Sequence, residues 1–450
     1  MLFLPALILG PSLLFNEVSA TTYKVAIVGA GAGGSSASYW LSLAKQRAPA
    51  GTNVEITVYE QDKRVGGRST TVYPYNNTAY APIELGASIF TTATETWFGL
   101  PPNLDISSLR LVDTADNIRM EERYQDGPTK LGGLIVPFLT SFAKSYTPSF
   151  PKFPTVKDYA SAVDYTSLLP YTLKSYLTQG GINLNWINDF MTGSTRFNYG
   201  QDVGSISAVP GMASLSAAER HFTRTTVNCI EKDKNAKYNV KTNKGTATYD
   251  AVIIAAPLPL TNIKFVNTAT QPSSFPKVDY LHLHVTLLTT TTPSLLPTYF
   301  KANNSSALPG TILTTAEYGS KPQFNSIRYQ ATIDKNGKTE YVVKIFSPAK
   351  ISDTTLATLF GKNSIGWVLR KEWDAYPYFP IRSEFPPVKL DKGLYYVNSM
   401  EALFSTMETE IISSRNVVDL LSTELIGSGL CGPEGPKGPA TDSYVLGWDC

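Results

Sequence analysis

The chain has 450 residues, of which 42% are hydrophobic, so it is long enough to bury a large core and to form more than one domain. Its formal net charge of +2 excludes the strongly basic composition that is typical of nucleic-acid-binding proteins, and we predict no nucleic-acid partner. Only three cysteines are present, which excludes a fold held together by disulfides.

The N-terminal segment is apolar and short. Residues 1–15 are almost wholly apolar, and Val18-Ser19-Ala20 is a small-residue sequence suited to signal peptidase. Two prolines and a glycine interrupt the run, which is shorter than the roughly 20 apolar residues needed to cross a bilayer. We predict a cleaved signal peptide over residues 1–20 and no transmembrane anchor. The chain would then enter the secretory pathway and reach the lysosome, a vacuole or the extracellular medium.

The first predicted elements after this segment carry the most informative motif. Val25–Val28 is an apolar run typical of a buried parallel strand, and apolar spacing predicts a helix over Ser35–Lys45. Between them lies a turn with Gly-x-Gly-x-x-Gly spacing. Because glycine has no side chain, a pyrophosphate can approach the backbone N–H groups of this turn and the N-terminus of the helix. We assign cofactor contacts in this turn to Gly29, Ala30, Gly31, Gly33 and Gly34.

The second predicted strand, Val54–Glu60, ends in a carboxylate. Glu60 lies where the ribose of an adenosine would offer its hydroxyls. Gly66, Gly67 and Arg68 follow, and they suit the pyrophosphate or the flavin oxygens of a dinucleotide. Nicotinamide dehydrogenases do not usually carry this extension, which resembles the FAD-containing family that includes monoamine oxidases and phytoene desaturases. FAD is therefore the predicted cofactor.

Four later segments extend the predicted cofactor site. Thr70–Tyr73 is typical of a strand, and Ile83–Ser88 resembles the segment with which this flavoprotein family lines the isoalloxazine ring. The resemblance implies further contacts at Gly86, Ala87 and Ser88. Val227 begins the strand that contacts adenine in the family, and Tyr249–Pro257 resembles the family's second nucleotide-domain signature.

The middle of the chain is predicted to contain helices and then strands. Residues 97–201 carry helical patterns and no nucleotide motif. Candidate helices in the chain are at Leu168–Leu177, Trp186–Met191 and Met400–Leu421. Strands are predicted at 226–230, 238–242, 246–249, 280–288, 326–333, 340–346 and 394–398. The turn Asn336-Gly337 joins two of them as a hairpin.

These elements predict an α/β fold class, with a Rossmann-type FAD-binding domain that has a parallel sheet and is discontinuous in sequence, plus an α+β substrate-binding domain. The FAD-binding domain is assigned to residues 21–92, 205–265 and 385–425. The substrate-binding domain is assigned to residues 93–204 and 266–384. A Gly- and Pro-rich tail over residues 426–450 ends the chain.

Several segments together resemble the prenylcysteine oxidase family. They are residues 25–68, Phe197–Gln201, Arg370–Tyr378, and Leu394–Asn398 with Glu401, Met407 and Glu408. The first is specific to the flavoprotein superfamily, whereas the later ones indicate the prenylcysteine oxidase branch. In this family the last strand and helix close over the flavin, so the resemblance implies that Glu401 is a further cofactor contact.

The resemblance implies oxidation of S-prenyl-L-cysteine, with a farnesyl or geranylgeranyl chain, during degradation of prenylated proteins. Hydride would leave the carbon that joins the prenyl chain to sulfur and reach the flavin, and water would add to the resulting cation. The adduct would collapse to a prenyl aldehyde and cysteine, and molecular oxygen would then be reduced to hydrogen peroxide. No nucleophilic side chain is required, and no catalytic residue is assigned.

Two other functions remain open at this point. The chain could be an amine or other small-molecule oxidase, because the cofactor motif does not define the substrate. It could also be a non-catalytic, flavoprotein-derived lipid-binding protein. After Gly200-Gln201 the family normally has a longer segment with a paired-glycine turn and a helix, whereas here a short stretch over residues 202–226 leads to the next strand.

The histidines and cysteines give no further site. His282 and His284 lie on one face of a predicted strand, and we expect no carboxylate or cysteine partner near them, so we assign no metal; His221 lies in a polar stretch. Cys431 and Cys450 could pair across the tail, which leaves Cys229 as an ordinary buried thiol.

Three sequons and two tyrosines complete the candidates. Asn76, Asn303 and Asn304 each begin an Asn-x-Ser/Thr sequence and are candidate glycosylation sites. Tyr376 and Tyr378 could form part of an aromatic wall near the flavin, or they could pack in the core.

Overall fold

The computed structural model describes residues 21–86, 127–147, 150–214, 227–301, 308–315 and 323–435. Several of the positions discussed above lie outside the described residues. They are the signal peptide, the cofactor candidates Ala87 and Ser88, His221, the sequons Asn303 and Asn304, and Cys450.

The strands and helices are numbered in chain order. The strands are β1 (Thr21–Val28), β2 (Thr52–Tyr59), β3 (Thr71–Val72), β4 (Ile83–Glu84), β5 (Val227–Lys232), β6 (Tyr238–Thr242), β7 (Gly245–Tyr249), β8 (Ala251–Ile254), β9 (Lys264–Val266), β10 (Tyr280–Thr290), β11 (Thr311–Leu313), β12 (Ser326–Lys335), β13 (Lys338–Ser347), β14 (Ile365–Pro377), β15 (Lys389–Asp391) and β16 (Leu394–Tyr396). The helices are α1 (Ala32–Gln46), α2 (Gly127–Ala143), α3 (Val156–Ala162), α4 (Leu173–Gln179), α5 (Leu184–Trp186), α6 (Thr192–Tyr199), α7 (Ala208–Ala213), α8 (Asp353–Phe360) and α9 (Met407–Ile426).

The first sheet has the strand order β15-β16-β8-β1-β2. Strands β16, β8, β1 and β2 run parallel, and β15 pairs antiparallel at one edge. The apolar run of β1 is buried because α1 and α9 cover one face of this sheet, whereas side chains of β5, β6 and β7 pack on the other. From β1 the chain passes through α1 to β2 on one side, while β8 pairs on the other side. The carboxyl end of β1 is therefore a topological switch point, where open α/β sheets bind ligands.

The second large sheet is antiparallel and has the order β11-β12-β13-β10-β14. Its hairpin between β12 and β13 turns at Asn336 and Gly337, with φ angles of 55° and 76°. Positive φ at both central residues is the type I′ geometry that the Asn-Gly pair favours, so the predicted hairpin is confirmed. A four-stranded sheet of order β7-β6-β5-β9 and the pair β3-β4 complete the described strands.

The predicted α/β fold class is confirmed by the parallel sheet, but two helix predictions are wrong. The predicted helix Met400–Leu421 begins only at Met407, because Val397–Ala402 is a 3-10 turn and Thr406 caps α9 by accepting a hydrogen bond from the N–H of Thr409. The predicted helix Leu168–Leu177 is also interrupted. Pro170 has no N–H to donate, and α4 starts at Leu173 after a Thr172 cap.

One continuous core joins the nucleotide sheet to the helical part of the chain. Buried side chains of α1 and α9 contact those of α2 to α7 on the same side of the sheet. The domain limits assigned above stay predictions. Among the described helices, none combines the length and the apolar character needed to span a bilayer.

Candidate cofactor and substrate site

The glycine turn lies at the carboxyl end of β1, at the switch point of the sheet. Gly29 has a φ of 101°, and its N–H donates to the carbonyl of Tyr59 at 2.7 Å. A Cβ on Gly34 would lie 1.9 Å from the carbonyl oxygen of Gly29. The first and last glycines of the motif therefore hold the turn tightly against the start of α1.

The N-terminus of α1 is open toward this turn. Gly31 is the N-cap and supplies no side-chain acceptor, and the first turn of the helix contains no acidic residue. A Cβ added at Gly31 would meet no atom closer than 4.0 Å, which leaves free space in front of the helix N–H groups. Free N–H groups, the positive end of the helix dipole and open space fit a diphosphate.

Glu60 closes the other side of the turn. It is 7% exposed, and its Oε2 accepts a hydrogen bond from the N–H of Ala30 at 2.7 Å. Its Oε1 accepts from the N–H of Asp62 at 2.9 Å. Each carboxylate oxygen keeps a further lone pair, so Glu60 can accept a ribose hydroxyl while it holds the turn.

The second glycine pair faces the first. Gly66 and Gly67 both have positive φ angles, of 122° and 57°. The N–H of Gly66 donates to the carbonyl of Ala30 at 2.9 Å, and Gly67 lies next to Gly31. The structure therefore brings all the described glycine candidates of both motifs to one crevice.

Arg68 and Glu401, predicted separately as cofactor contacts, form an ion pair with each other. Arg68 Nη1 also donates to the carbonyl of Ala375 at 2.9 Å, and the hydroxyl of Tyr280 donates to the second oxygen of Glu401. Burial lowers the pKa of Arg68, but Glu401 and Tyr280 raise it, and the net pKa lies above its ordinary value. Burial and then Glu401 raise the pKa of Tyr280. Arg68 is thus a fixed cation beneath the site.

Gly86 sits where this network meets the second sheet. A Cβ at Gly86 would lie 2.0 Å from the carbonyl oxygen of Arg68 and 2.6 Å from the Trp373 ring. The segment after β4 can therefore pass between Arg68 and β14 only with glycine at position 86, and its place beside a flat ring stays a prediction.

Two buried polar atoms at the cavity have no hydrogen-bond partner among the described residues. They are Oε1 of Glu410 and Oδ1 of Asn398, while the other carboxyl oxygen of Glu410 accepts from Nδ2 of Asn398 at 2.9 Å. Burial and then the charge of Glu401 raise the pKa of Glu410 well above its ordinary range, while Arg68 lowers it, and the net shift favours the protonated carboxyl. A buried O–H beside Gly33 can donate to an anion at the N-terminus of α1.

These features surround one large cavity of about 930 Å³. At one end it is lined by the glycine turns, Glu60, Arg68, Glu401, Glu410, and Val227 at the start of β5. At the other end it is lined by side chains of the second sheet, namely Leu283, Ser326, Arg328, Gln330, Lys344, Phe346 and Trp373. The crevice at the switch point therefore continues into a second compartment under the antiparallel sheet. A dinucleotide such as FAD fits the first compartment, and a substrate fits the second.

The segments that carry the family resemblance meet beside this cavity. Gln201 donates to the carbonyl of Pro377 at 3.0 Å and accepts from the N–H of Phe379 at 2.9 Å, which ties the end of α6 to the end of β14. The rings of Tyr199 and Tyr376 pack edge to face with centroids 5.4 Å apart, and both line the cavity. Tyr378 is 45% exposed, so neither the aromatic-wall nor the core interpretation holds for it.

The expectation that the histidine pair lacks carboxylate neighbours is wrong. Glu372 and Asp374, on the adjacent strand β14, lie within 3.5 Å of His284 and 3.0 Å of His282, respectively. Sequence distance hid these partners, because pairing of β10 with β14 brings residues together that are far apart in the chain. Separately, Asn76 is exposed in a turn, and Cys229 is free but only partly buried.

Sequence reasoning missed Tyr280, Asn398 and Glu410, as well as the pair Arg328 and Lys344. Tyr280 begins a strand of the other sheet, so nothing local predicts that it meets Glu401. Glu410 carries a weak signal, since it is a carboxylate next to the apolar residues Ile411 and Ile412 on one helix. A carboxylate that is buried on a helix needs a hydrogen-bond partner or a proton, so Glu410 is a candidate for contact with a ligand.

Comparison with known proteins gives two family matches. The model of the prenylcysteine lyase family matches residues 110–225 and 219–428, and it divides in the region that the sequence marks as short. The model of the NAD(P)-binding Rossmann-like domain matches residues 27–100.

Curated relatives and solved structures agree with these matches. The chain is 27% identical to farnesylcysteine lyase of Arabidopsis thaliana, over 88% of this chain and 87% of the relative. It is 26% identical to prenylcysteine oxidase 1 of Homo sapiens, over 89% of each chain. A solved structure of a putrescine oxidase double mutant superposes with a TM-score of 0.51 at 13% identity, covering 89% of this chain and all of the other, which shows a shared fold.

Proposed function

Because the chain belongs to the prenylcysteine lyase family, we propose that it oxidises S-prenyl-L-cysteine to a prenyl aldehyde, cysteine and hydrogen peroxide. The observation that carries the proposal is the continuity of the cavity. A cradle for a dinucleotide opens into a compartment walled by apolar side chains and two cationic ones. An elongated, apolar ligand with a charged head matches that compartment.

The chain is an FAD-dependent oxidoreductase, as its sequence predicts. When bound, FAD supplies a two-electron acceptor for the carbon next to sulfur and a route for those electrons to oxygen. The residues that would hold it are the glycine turns around residues 29–34 and 66–67, with Glu60 toward the ribose. Glu410 would donate its O–H, and Arg68 with Glu401 would lie under the ring side of the site.

The apolar wall of the second compartment would bind the prenyl chain. Leu283, Phe346 and Trp373 lie on the cavity face of the antiparallel sheet, and Phe197 and Tyr376 line the cavity from α6 and β14. Burying an isoprenoid against these side chains removes apolar surface from water, at roughly 25 cal/mol per Å². The same wall excludes water from the reacting carbon, which favours transfer of hydride to the cofactor over side reactions.

The two cations would bind the carboxylate of the cysteine. Arg328 on β12 and Lys344 on β13 pair directly across the sheet, and both face the cavity. An anion between the two side chains would contact both charges. Lys344 is held in place, because its Nζ donates to the carbonyl of Glu84 at 2.7 Å and lies 4.6 Å from the centre of the Phe346 ring. Arg328 has no ion-pair partner within the described ranges, so its guanidinium can bind a carboxylate.

The proposal is tested by product analysis with purified protein and oxygen. With S-farnesylcysteine we expect farnesal, free cysteine and hydrogen peroxide in equal amounts, and with putrescine we expect none of these products. Oxidation of amines without turnover of the thioether would support the amine-oxidase alternative. Binding of FAD and of S-farnesylcysteine without product would support the non-catalytic lipid-binding alternative.

We also propose that the protein acts in the secretory pathway, in a lysosome or vacuole or outside the cell. The apolar residues 1–15, the small-residue sequence Val18-Ser19-Ala20 and the exposed sequon at Asn76 support this location. N-terminal sequencing of the secreted protein should begin near Thr21, and peptide-N-glycosidase should lower its apparent mass. A mature chain that keeps Met1 would contradict the proposal.

A further inference from the structure

A cluster of histidines and carboxylates lies on the face of the antiparallel sheet opposite Leu283 and Trp373. Pairing of β10 with β14 places His282 opposite Asp374 and His284 opposite Glu372. The alternate residues Leu283 and Trp373, between them in sequence, line the cavity on the other face. Asp374 also lines the cavity, whereas His282, His284 and Glu372 do not, so these three side chains are separate from the cofactor and substrate site.

Three side-chain atoms in the cluster converge as metal ligands do. Oε2 of Glu372 lies 3.5 Å from Nδ1 of His284 and 3.9 Å from Nε2 of His282. The ligand atoms of these three residues all lie within 4.8 Å of one another. Bonds of about 2.0–2.2 Å to a tetrahedral zinc ion place its ligand atoms about 3.4 Å apart, so small side-chain movements would complete the geometry.

Asp374 orients one of these ligands. Its Oδ1 lies 3.0 Å from Nδ1 of His282, the ring nitrogen that does not face Glu372. A proton on Nδ1, donated to Asp374, leaves the lone pair of Nε2 free for a cation. Carboxylate, histidine and metal in this order are the usual arrangement around zinc, and the outer carboxylate strengthens the histidine as a ligand.

We propose that His282, His284 and Glu372 bind one divalent cation of the zinc class, with Asp374 as a positioning residue and water in the remaining coordination position. Two imidazoles and one carboxylate are a ligand set that suits zinc rather than magnesium or calcium. The cation would join β14 to β10 next to the irregular pairing at Leu281 and His282. Since β14 also carries Trp373 and Tyr376, the ion would fix the strand that walls the cavity.

The test is metal binding by tag-free, FAD-loaded protein. After dialysis against zinc and then against metal-free buffer, elemental analysis should find one zinc ion per chain. Cobalt(II) in its place should give the intense visible bands of a four-coordinate site. His284→Asn and Glu372→Gln should each abolish stoichiometric binding, and Asp374→Asn should weaken it by about 10- to 100-fold. All variants should retain FAD.

Two controls separate this site from adventitious binding. Glu384→Gln removes an exposed carboxylate that pairs with Lys157, and His221→Asn removes the remaining histidine of the chain. Both controls should bind zinc as the unchanged protein does. Absence of bound zinc in the unchanged protein, or unaltered binding in the double variant His282→Asn/His284→Asn, would overturn the proposal and leave ordinary histidine–carboxylate ion pairs.

Discussion

A methyl group added at Gly31 should weaken binding of the cofactor without damaging the fold. The backbone of Gly31 has φ −74° and ψ −165°, an extended conformation that alanine adopts readily. The nearest atoms to an added Cβ are at 4.0 Å, in Gly66 and Gly67, so the protein itself accommodates the methyl group. The space that it fills is the space in front of the N–H groups of α1, where we place the diphosphate.

The size of the effect follows from the cost of overpacking. Forcing a methyl group against a tightly held ligand costs about 1–3 kcal/mol, which corresponds to an increase of roughly 5- to 150-fold in the dissociation constant of FAD. Without FAD the variant should unfold at the same temperature as the unchanged apoprotein or slightly higher, because replacing glycine by alanine at a compatible position reduces the entropy of the unfolded chain.

The assay is titration of apoprotein with FAD, followed by flavin fluorescence, together with thermal unfolding of the apoprotein. Gly133→Ala is the matched control, since Gly133 lies on α2 with no atom within 4 Å of an added Cβ. It should leave FAD affinity unchanged. If Gly31→Ala bound FAD as tightly as Gly133→Ala, the cofactor would not lie against this turn, and the reasoning would be refuted.

Three further predictions concern charged residues. Glu401→Gln leaves the mostly buried Arg68 without its carboxylate and should lower the free energy of unfolding, measured in urea, by about 3–5 kcal/mol. The double variant Arg68→Met/Glu401→Gln should recover part of that loss, and an unchanged urea midpoint in Glu401→Gln would contradict the prediction. Burial raises the pKa of Glu408 from 4.5 to about 7, so the unfolded chain loses this proton first and stability should fall as pH rises from about 4.5 to 7. Glu408→Gln should flatten that part of the profile and gain about 2 kcal/mol above pH 7, allowing for partial exposure, whereas a parallel profile would refute the assignment. Arg328→Gln should weaken binding of S-farnesylcysteine by about 10-fold or more but leave its analogue without the carboxylate unaffected, and equal losses for both ligands would exclude the proposed contact.

The nucleotide part of the fold could be predicted because its signals are local. The apolar run of β1, the glycine turn and Glu60 follow one another in the chain. A side chain in this turn is sterically excluded, and the structure shows this at Gly29 and Gly34, where an added Cβ would overlap backbone atoms. The strands and the Asn336-Gly337 hairpin depend in the same way on nearby residues. The fold class, the cofactor and the family are confirmed for this reason.

The two helix predictions were wrong because the apolar spacing continued past residues at which the helical backbone is interrupted. Apolar spacing from Met400 onward suggested one helix, but the chain first makes a 3-10 turn and then restarts at the Thr406 cap. Pro170 interrupted another apolar run in the same way. The spacing of apolar residues indicates which face of a helix is buried, but it does not indicate where the helix begins or ends.

Contacts between distant segments could not be predicted from one sequence. Tyr280 meets Glu401, and Arg328 meets Lys344, only because sheet pairing and domain packing bring them together. The carboxylates beside His282 and His284 were missed for the same reason. Such groups become candidates only after strand register is known.

The most direct measurement of the central claim is the visible spectrum of the purified protein before and after anaerobic addition of S-farnesylcysteine. We expect a yellow protein whose flavin absorbance bleaches, with release of one free cysteine per flavin reduced. Flavin that stays oxidised with this thioether but bleaches with an amine would contradict it, and so would a colourless protein that FAD cannot reconstitute.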